Sequence, residues 1–378
     1  MQHSFSPAQA EMRSLLQRVA TGPELSKDLD RAEACSGMRQ VLCREADPVQ
    51  AAIYLIALRM KRETDDENAG ILDALLSSVT KADVDVDELV EIADPYDGFV
   101  RGTPASSFLP PVLAALDVPA AITGARVVGP KYGVTHYMIL KEAGIDVHRD
   151  PQTVAGHIAD PDIGWGYLDQ SRFARELHGL LDLRELMVKR TVLTTLEVLL
   201  HPLHARRTHL MTGYVHKPYP PRYLKLARQA GYASAMIVRG VEGGVVPSLT
   251  QPSKFFRFVA DGVDEEVRLD PDDIDIRQHA RITPLPDDAE QQEPEGQPFA
   301  SINAPAVARA AAAAGRAALA GEAGSFRDSL VLGASICLTH LDRATSLIEA
   351  ASVVRGVLDD GSAKARFDAL AAVGSDLA

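Results

Sequence analysis

The chain has 378 residues, enough to bury a large core and, by ordinary domain sizes, to form two domains rather than one. Its 46% hydrophobic and 24% charged residues fit a soluble globular protein; no apolar run approaches the roughly 18 residues of a membrane span, and Met1–Gln17 lacks the basic start and apolar stretch of a secretory leader. The net charge of −13 opposes a generic nucleic-acid binder, and Cys35, Cys43 and Cys337 lack metal or disulfide spacing, so Cys35 and Cys43 read as buried thiols in a reducing cytoplasm.

The first eighty residues read as helices. In "DPVQAAIYLIALRMKR" Asp47 is placed to N-cap, Pro48 takes the first helical position and Gln50 the capping-box site. The apolar positions Ile53, Ile56, Ala57 and Met60 recur there at helical spacing. A second capping box, Thr64 with Glu67, opens "TDDENAGILDALLSSV", whose acidic first turn suits the helix dipole. Near Leu89 the period changes. "VPAAITG", "THLMTGYV" and "ASAMIVRG" read as strands, with helical patterns at Phe108–Leu116, Thr135–Ala143 and Pro221–Ala230. That alternation predicts an α/β fold with a mainly parallel central sheet behind a helical N-terminal domain. Residues 282–299 read as an acidic, proline-rich surface loop; an alanine-rich helix and at least two amphipathic helices follow.

Charge is segregated along the chain. Glu63 to Asp97 holds twelve acids and one lysine, and Asp261 to Glu295 holds thirteen acids against three arginines. Arg184 to Arg228 reverses the balance, with nine Lys/Arg against Glu185 and Glu197, and could form an anion-binding face or scatter over solvated helix faces. His201, His204, His209 and His216 lie in that stretch without a cysteine or paired carboxylate, and read as exposed and hydrogen-bonded histidines rather than a metal site.

The strand-to-helix loops carry the functional signal. In "ADPYDGFVRGTPASSF", Asp94, Asp97, Gly98, Arg101, Gly102, Thr103, Ser106 and Ser107 could offer N–H groups and hydroxyls to a phosphate, with Asp97 on a magnesium ion, or could simply cap a helix. In "ITGARVVGPKYGVTHYMILKEAGI", Gly124 and Gly133 permit close backbone approach, Arg126 and Lys131 supply charge, and Thr135 caps the next helix. Both loops follow strands, so both should line one anion pocket beyond the strand ends, although neither matches a Walker or dinucleotide fingerprint.

The order of these features resembles the anthranilate phosphoribosyltransferase family, also grouped with nucleoside phosphorylases of similar fold. The resemblance runs from "YLIALRMKRETDDENAGILDAL" through "ITGARVVGPKYG", "LRELMVKRTVLTTLEVLLHP" and "YASAMIVRGVEGG" to "LVLGASICLTHLDRATSLIEAASVVRGVLDDGSAKARFDAL". It implies a helical domain at 1–88 plus about 170–196, which usually makes a homodimer, and an α/β domain at 89–169 and 197–378 holding phosphoribosyl pyrophosphate with magnesium. By position it assigns Gly124 and Arg126 to the family's first phosphate loop, Lys131 and Gly133 to its second, Asp97 and Gly98 to its Asp-Gly, and Arg184 to the arginine facing the acceptor's carboxylate. The family's chemistry would be transferase chemistry of tryptophan-biosynthesis type.

The chain departs from those motifs at three places. Asp94, Pro95 and Tyr96 replace Gly-Thr-Gly-Gly, Ile122 and Thr123 replace Lys-His, and Val245 and Val246 replace the metal-binding Asp-Glu pair, leaving Asp97 and Glu242 as the candidate metal ligands. Such departures resemble the divergent branch of the family, some of whose members bind nucleic acid. Three readings stand: a phosphoribosyltransferase-like enzyme with a changed acceptor, a nucleic-acid- or phosphate-binding protein on the same fold, and a regulatory dimer with a vestigial pocket.

Overall fold

Helix starts are set by short polar side chains that cap otherwise unbonded N–H groups. In the computed structural model, which describes residues 6–22, 24–289 and 302–375, such caps open α1 (Pro7–Val19), α2 (Arg31–Leu42), α3 (Pro48–Lys61) and α4 (Asp65–Ser78). Ser6 with Gln9, Asp30 with Glu33 and Thr64 with Glu67 form full capping boxes. Asp47 caps through the N–H of Val49, but Gln50 completes no box; its amide reaches the carbonyl of Gln9 on α1 instead. The α3 core positions are Ala51, Tyr54, Leu55 and Leu58, whereas Ile53 and Met60 are exposed. Cys43 is also exposed and Cys35 only half-buried, because they lie on the outer side of α2 and at its end rather than in the core.

The strands are β1 (Ala82–Asp83), β2 (Glu88–Ala93), β3 (Ala120–Gly124), β4 (Trp165–Asp169), β5 (Leu203–His204), β6 (Arg207–Gly213), β7 (Ser234–Val238), β8 (Ser253–Val259) and β9 (Glu265–Leu269). β1 and β5 form a small parallel pair; the others form one sheet in the order β4-β3-β2-β6-β7-β8-β9. Its first five strands are parallel, and β8 and β9 add antiparallel at one edge. The expected strands at 118–124 and 233–240 contain β3 and β7, and the one at 208–215 overlaps β6 from its second residue.

Side chains alternate across the sheet, as the pleat requires. Val90, Ile92, Ile122, Met211 and Met236 enter one core. Leu89, Ala93, Leu210 and Ile237 enter another, continuous with the apolar side of α1–α4. The connecting helices are α5 (Leu109–Ala114), α6 (His136–Glu142), α7 (Pro151–Ala159), α8 (Gln170–Phe173), α9 (Arg175–His178), α10 (Leu181–Met187), α11 (Leu193–Leu196) and α12 (Tyr219–Ala230). Of these, α9 packs on α4 and α10 on α3, so Phe173, Leu177 and Leu180 extend the helical layer. The C-terminal helices α13 (Ala304–Leu319), α14 (Ser325–His340), α15 (Leu347–Asp359) and α16 (Ser362–Ser375) supply the first core with Val307, Leu330 and Val354. Of the expected loop at 282–299, residues 290–299 lie outside the described residues; Thr283 and Pro284 accept hydrogen bonds from Thr103. No helix among the described residues is long and apolar enough to cross a membrane.

Candidate functional site

β2 and β6 are neighbours, but the chain leaves β2 toward β3 on one side and leaves β6 toward β7 on the other. An open parallel sheet leaves a crevice beyond the strand ends at such a switch point. A cleft of about 190 Å³ lies there. Pro95 and Asp97 reach it from the loop after β2, Thr212 and Tyr214 from the end of β6, and Glu242 from the loop after β7. The facing wall carries Arg59 of α3 and Arg190, Thr191 and Thr194 from the segment into α11.

The two glycine loops meet, but not around an open anion nest. Gly133 N–H donates to the Asp97 carbonyl (2.9 Å), and Phe99 and Val134 exchange backbone bonds of 3.0 and 2.9 Å. A Cβ on Gly98, which has φ +77°, would lie 2.6 Å from the Gly133 carbonyl carbon, and one on Gly133 would lie 2.4 Å from the Phe99 nitrogen. These glycines therefore let one loop touch the other, at the positions the sequence placed against a phosphate. Gly124 packs against Tyr167, and a Cβ there would meet that ring at 3.4 Å.

The remaining candidate residues divide between cleft and scaffold. Asp97 is buried and accepts from Arg190 Nε and Nη2 at 2.8 and 2.6 Å. Lys131 Nζ lies 2.7 Å from Glu242, which also accepts from the N–H groups of Arg101 (2.7 Å) and Val100 (3.1 Å). Neither Lys131 nor Arg126 lines the cleft; Arg126 is exposed and forms no ion pair among the described residues. Thr103 donates to the Pro284 carbonyl and Thr135 caps α6, so both hydroxyls are used within the scaffold. Arg184, for which the resemblance implies an acceptor role, is buried in a bidentate pair with Glu197 (2.7 and 2.9 Å) and is not among the residues that line the cleft. The cations on the cleft wall are Arg59 and Arg190, neither singled out by the sequence; Arg190 is the one bonded to Asp97. The sequence signal for Arg190 is a basic residue just before the threonine-rich stretch Thr191–Thr195.

The positions that depart from the family motifs touch one another. Tyr96 donates to Thr123 at 2.8 Å. Asp94, fully buried, accepts from the Val245 N–H (2.7 Å) and from Ser106, with His136 Nε2 at 3.1 Å; His136 Nδ1 in turn lies 2.7 Å from Ser107. Val245 and Val246 pack into the main core.

A magnesium ion needs several oxygen ligands and keeps part of its water. The valines supply no side-chain oxygen, Asp97 Oδ2 is held by Arg190, and both oxygens of Glu242 are held by Lys131 and two N–H groups. Asp97 and Glu242, the expected ligands, therefore make a donor set that does not fit the ion. Among the described residues no group of three or more His, Cys, Asp or Glu is arranged to hold a metal.

Nor is the basic 184–228 segment an open cationic face. Arg206 pairs with Asp87, Arg207 with Glu88, Arg222 and Lys225 with Asp65, and Arg228 with Asp264. The runs that are segregated in sequence neutralise each other in space.

A helical bundle joined to an α/β unit with a mostly parallel sheet is also what the comparisons with known proteins match. Residues 13–79 match the helical bundle domain of the glycosyl transferase family, and residues 102–364 match its a/b domain. The chain belongs to this family, in its anthranilate phosphoribosyltransferase-like group. An anthranilate phosphoribosyltransferase of Methanopyrus kandleri is 30% identical over 70% of this chain and 75% of its own length. One of Xanthobacter autotrophicus is 28% identical over 97% and 98%. The Saccharomyces cerevisiae enzyme, solved in complex with PRPP and Mg, superimposes with a TM-score of 0.76 at 16% identity, covering 99% of this chain and 100% of that one.

Proposed function

We propose that the chain is a phosphoribosyltransferase-like protein that binds a phosphorylated ribose, phosphoribosyl pyrophosphate being the reference ligand, with an altered active site and an acceptor other than anthranilate. The observation that carries this reading is the position of the cleft, at the β2/β6 switch point with Arg59 and Arg190 on one wall and hydroxyls of Thr191, Thr194 and Thr212 around it. The altered chemistry follows from Val245 and Val246, and from an Arg184 engaged by Glu197. Purified protein given anthranilate, phosphoribosyl pyrophosphate and a magnesium titration should show little or no loss of anthranilate fluorescence. Robust turnover that disappears in Glu242→Gln would restore the ordinary enzyme.

The domain at residues 1–88 with about 170–196, helical apart from β1 and the first residue of β2, serves in this reading as the dimerising domain. Val49, Ile53 and Met60 expose an apolar strip of α3 beside a concavity formed with Val19 and Ala20 of the α1 end, and a second copy would cover it. Sedimentation of wild type and Ile53→Glu should give a dimer and a monomer. The nucleic-acid alternative has less behind it, because acids neutralise most of the basic segment.

A further inference from the structure

The two carboxylates at the cleft are both held by protein cations. Asp97 and Glu242 side chains are only 3% and 5% exposed; Arg190 takes Asp97 Oδ2, and Lys131 with two N–H groups takes both oxygens of Glu242, which leaves too few oxygens for a hydrated ion. Arg190 differs. Its side chain is 43% exposed and binds Asp97 through Nε and Nη2, leaving Nη1 unbonded among the described residues, on a residue that lines the cleft beside Arg59 and Thr191. A guanidinium pinned by one edge presents its remaining N–H groups in a fixed direction, the geometry in which arginine recognises phosphate or carboxylate.

We propose that this cleft binds the phosphate of its ligand without a divalent ion: Arg190 makes the contact, and Asp97 is a positioning residue that holds the guanidinium rather than a metal ligand. Glu242 holds Lys131 in the same way, and through the N–H groups of Val100 and Arg101 ties the third loop to the first. The inference rests on the phosphorylated-ribose reading and adds that side-chain cations, not magnesium, meet the ligand's charge.

The test is calorimetric titration of the full chain with phosphoribosyl pyrophosphate, once with a chelator and once with magnesium in excess. Wild type should bind equally well, within about threefold, in both conditions. Arg190→Ala should weaken binding roughly ten- to a hundredfold in both, as expected for loss of a charge-assisted contact. Arg190→Lys should recover part of the loss, and Asp97→Asn should weaken binding less than Arg190→Ala while adding no magnesium dependence. Melting curves identify any variant that fails to fold, and the wild-type pair of titrations stands without them. Binding that requires magnesium and disappears in Asp97→Asn overturns the inference but leaves the phosphorylated-ribose reading in place. Absence of binding in both conditions overturns that reading and the inference with it.

Discussion

Strand β2 has a carboxylate near each end, and the two ends behave differently. At the amino end Glu88 is held by Arg207 and Arg343, each at 2.7 Å. Around it lies a closed polar chain: His209 Nδ1 is 2.7 Å from Ser234 Oγ, which is 2.6 Å from His340 Nε2. Burial pushes His209 down to about 4 and His340 to about 3, so both are neutral in ordinary buffers. At the carboxyl end Asp94 and Asp97 are just as well bonded, but their loops border open space with Arg190 half exposed. Titratable groups are dense at both ends; the cleft described above lies at the carboxyl end. Density of histidines and charges is thus a poor guide to a site, whereas position relative to the strand ends is a good one.

Midway between the ends, Glu91 is a more extreme case than either. It is fully buried with one hydrogen bond, from Tyr232 (2.9 Å), and burial raises it to about 8, with that bond opposing. A carboxyl whose folded value is raised adds stability below its unfolded value near 4.5, and that stability is lost as pH rises toward 8. Glu91→Gln keeps the shape and the acceptor for Tyr232 but carries no charge. It should match wild type near pH 5 and exceed it by about 3–4 kcal/mol at pH 8 and above, in urea unfolding. The amino-end histidines oppose this trend. Their depressed values add stability above about 6.5 that is lost as pH falls toward 4, so wild-type stability should peak between the two limbs. A variant with unchanged pH dependence would mean that Glu91 is charged and solvated in the folded protein.

The carboxyl end depends on loop contact, and Gly133 is where that can be disturbed. Gly133→Ala places a methyl 2.4 Å from the Phe99 nitrogen and 2.6 Å from its carbonyl oxygen, both backbone atoms that cannot swing away. It should destabilise by about 2–3 kcal/mol and abolish ligand binding in the cleft. Gly156→Ala is the control. It lies inside α7 with nothing within 4 Å of its Cβ, and should gain about 0.5–1 kcal/mol from helix propensity alone. Urea midpoints of the pair check both signs. Equal stability of Gly133→Ala and wild type would mean that the loops are not in contact.

The contrast between the ends also explains what could be read from sequence. Thr64 with Glu67, the alternating runs that became β3, β6 and β7, and the two loops after β2 and β3 are local signals and were legible. β4, β8 and β9 were not: Trp165–Asp169 is short and interrupted by Gly166, and Ser253–Val259 mixes charge into its outward positions at a sheet edge. The glycines at 98 and 133 announced a close approach but not what approaches. Arg190 pairs with Asp97 across 93 residues, and Glu242 bonds Arg101 across 141; only the folded sheet brings such residues together. Likewise Gln50 fitted a capping box by spacing, and tertiary packing gave it to Gln9.

The smallest expected effect belongs to the amino-end ion pairs. Arg343→Met removes one of two arginines from Glu88 while keeping most of the apolar stem. Arg343 is 48% exposed, so the pair is screened by water and should contribute less than about 1 kcal/mol. Burial raises the carboxyl of Glu88, but the two arginines and His209 outweigh it, so the net value is lowered. The sign is therefore opposite to that of Glu91: the contribution is present above about 4.5 and lost as pH falls below it. Added salt should shrink the difference between variant and wild type. Glu88 lies six residues before Asp94 on an extended strand, about 20 Å away, well beyond the screening length of about 8 Å at physiological salt. Ligand affinity in the cleft should therefore be unchanged. A marked loss of phosphoribosyl pyrophosphate binding in Arg343→Met, with the fold intact, would mean that the two ends of β2 are coupled through the sheet rather than independent.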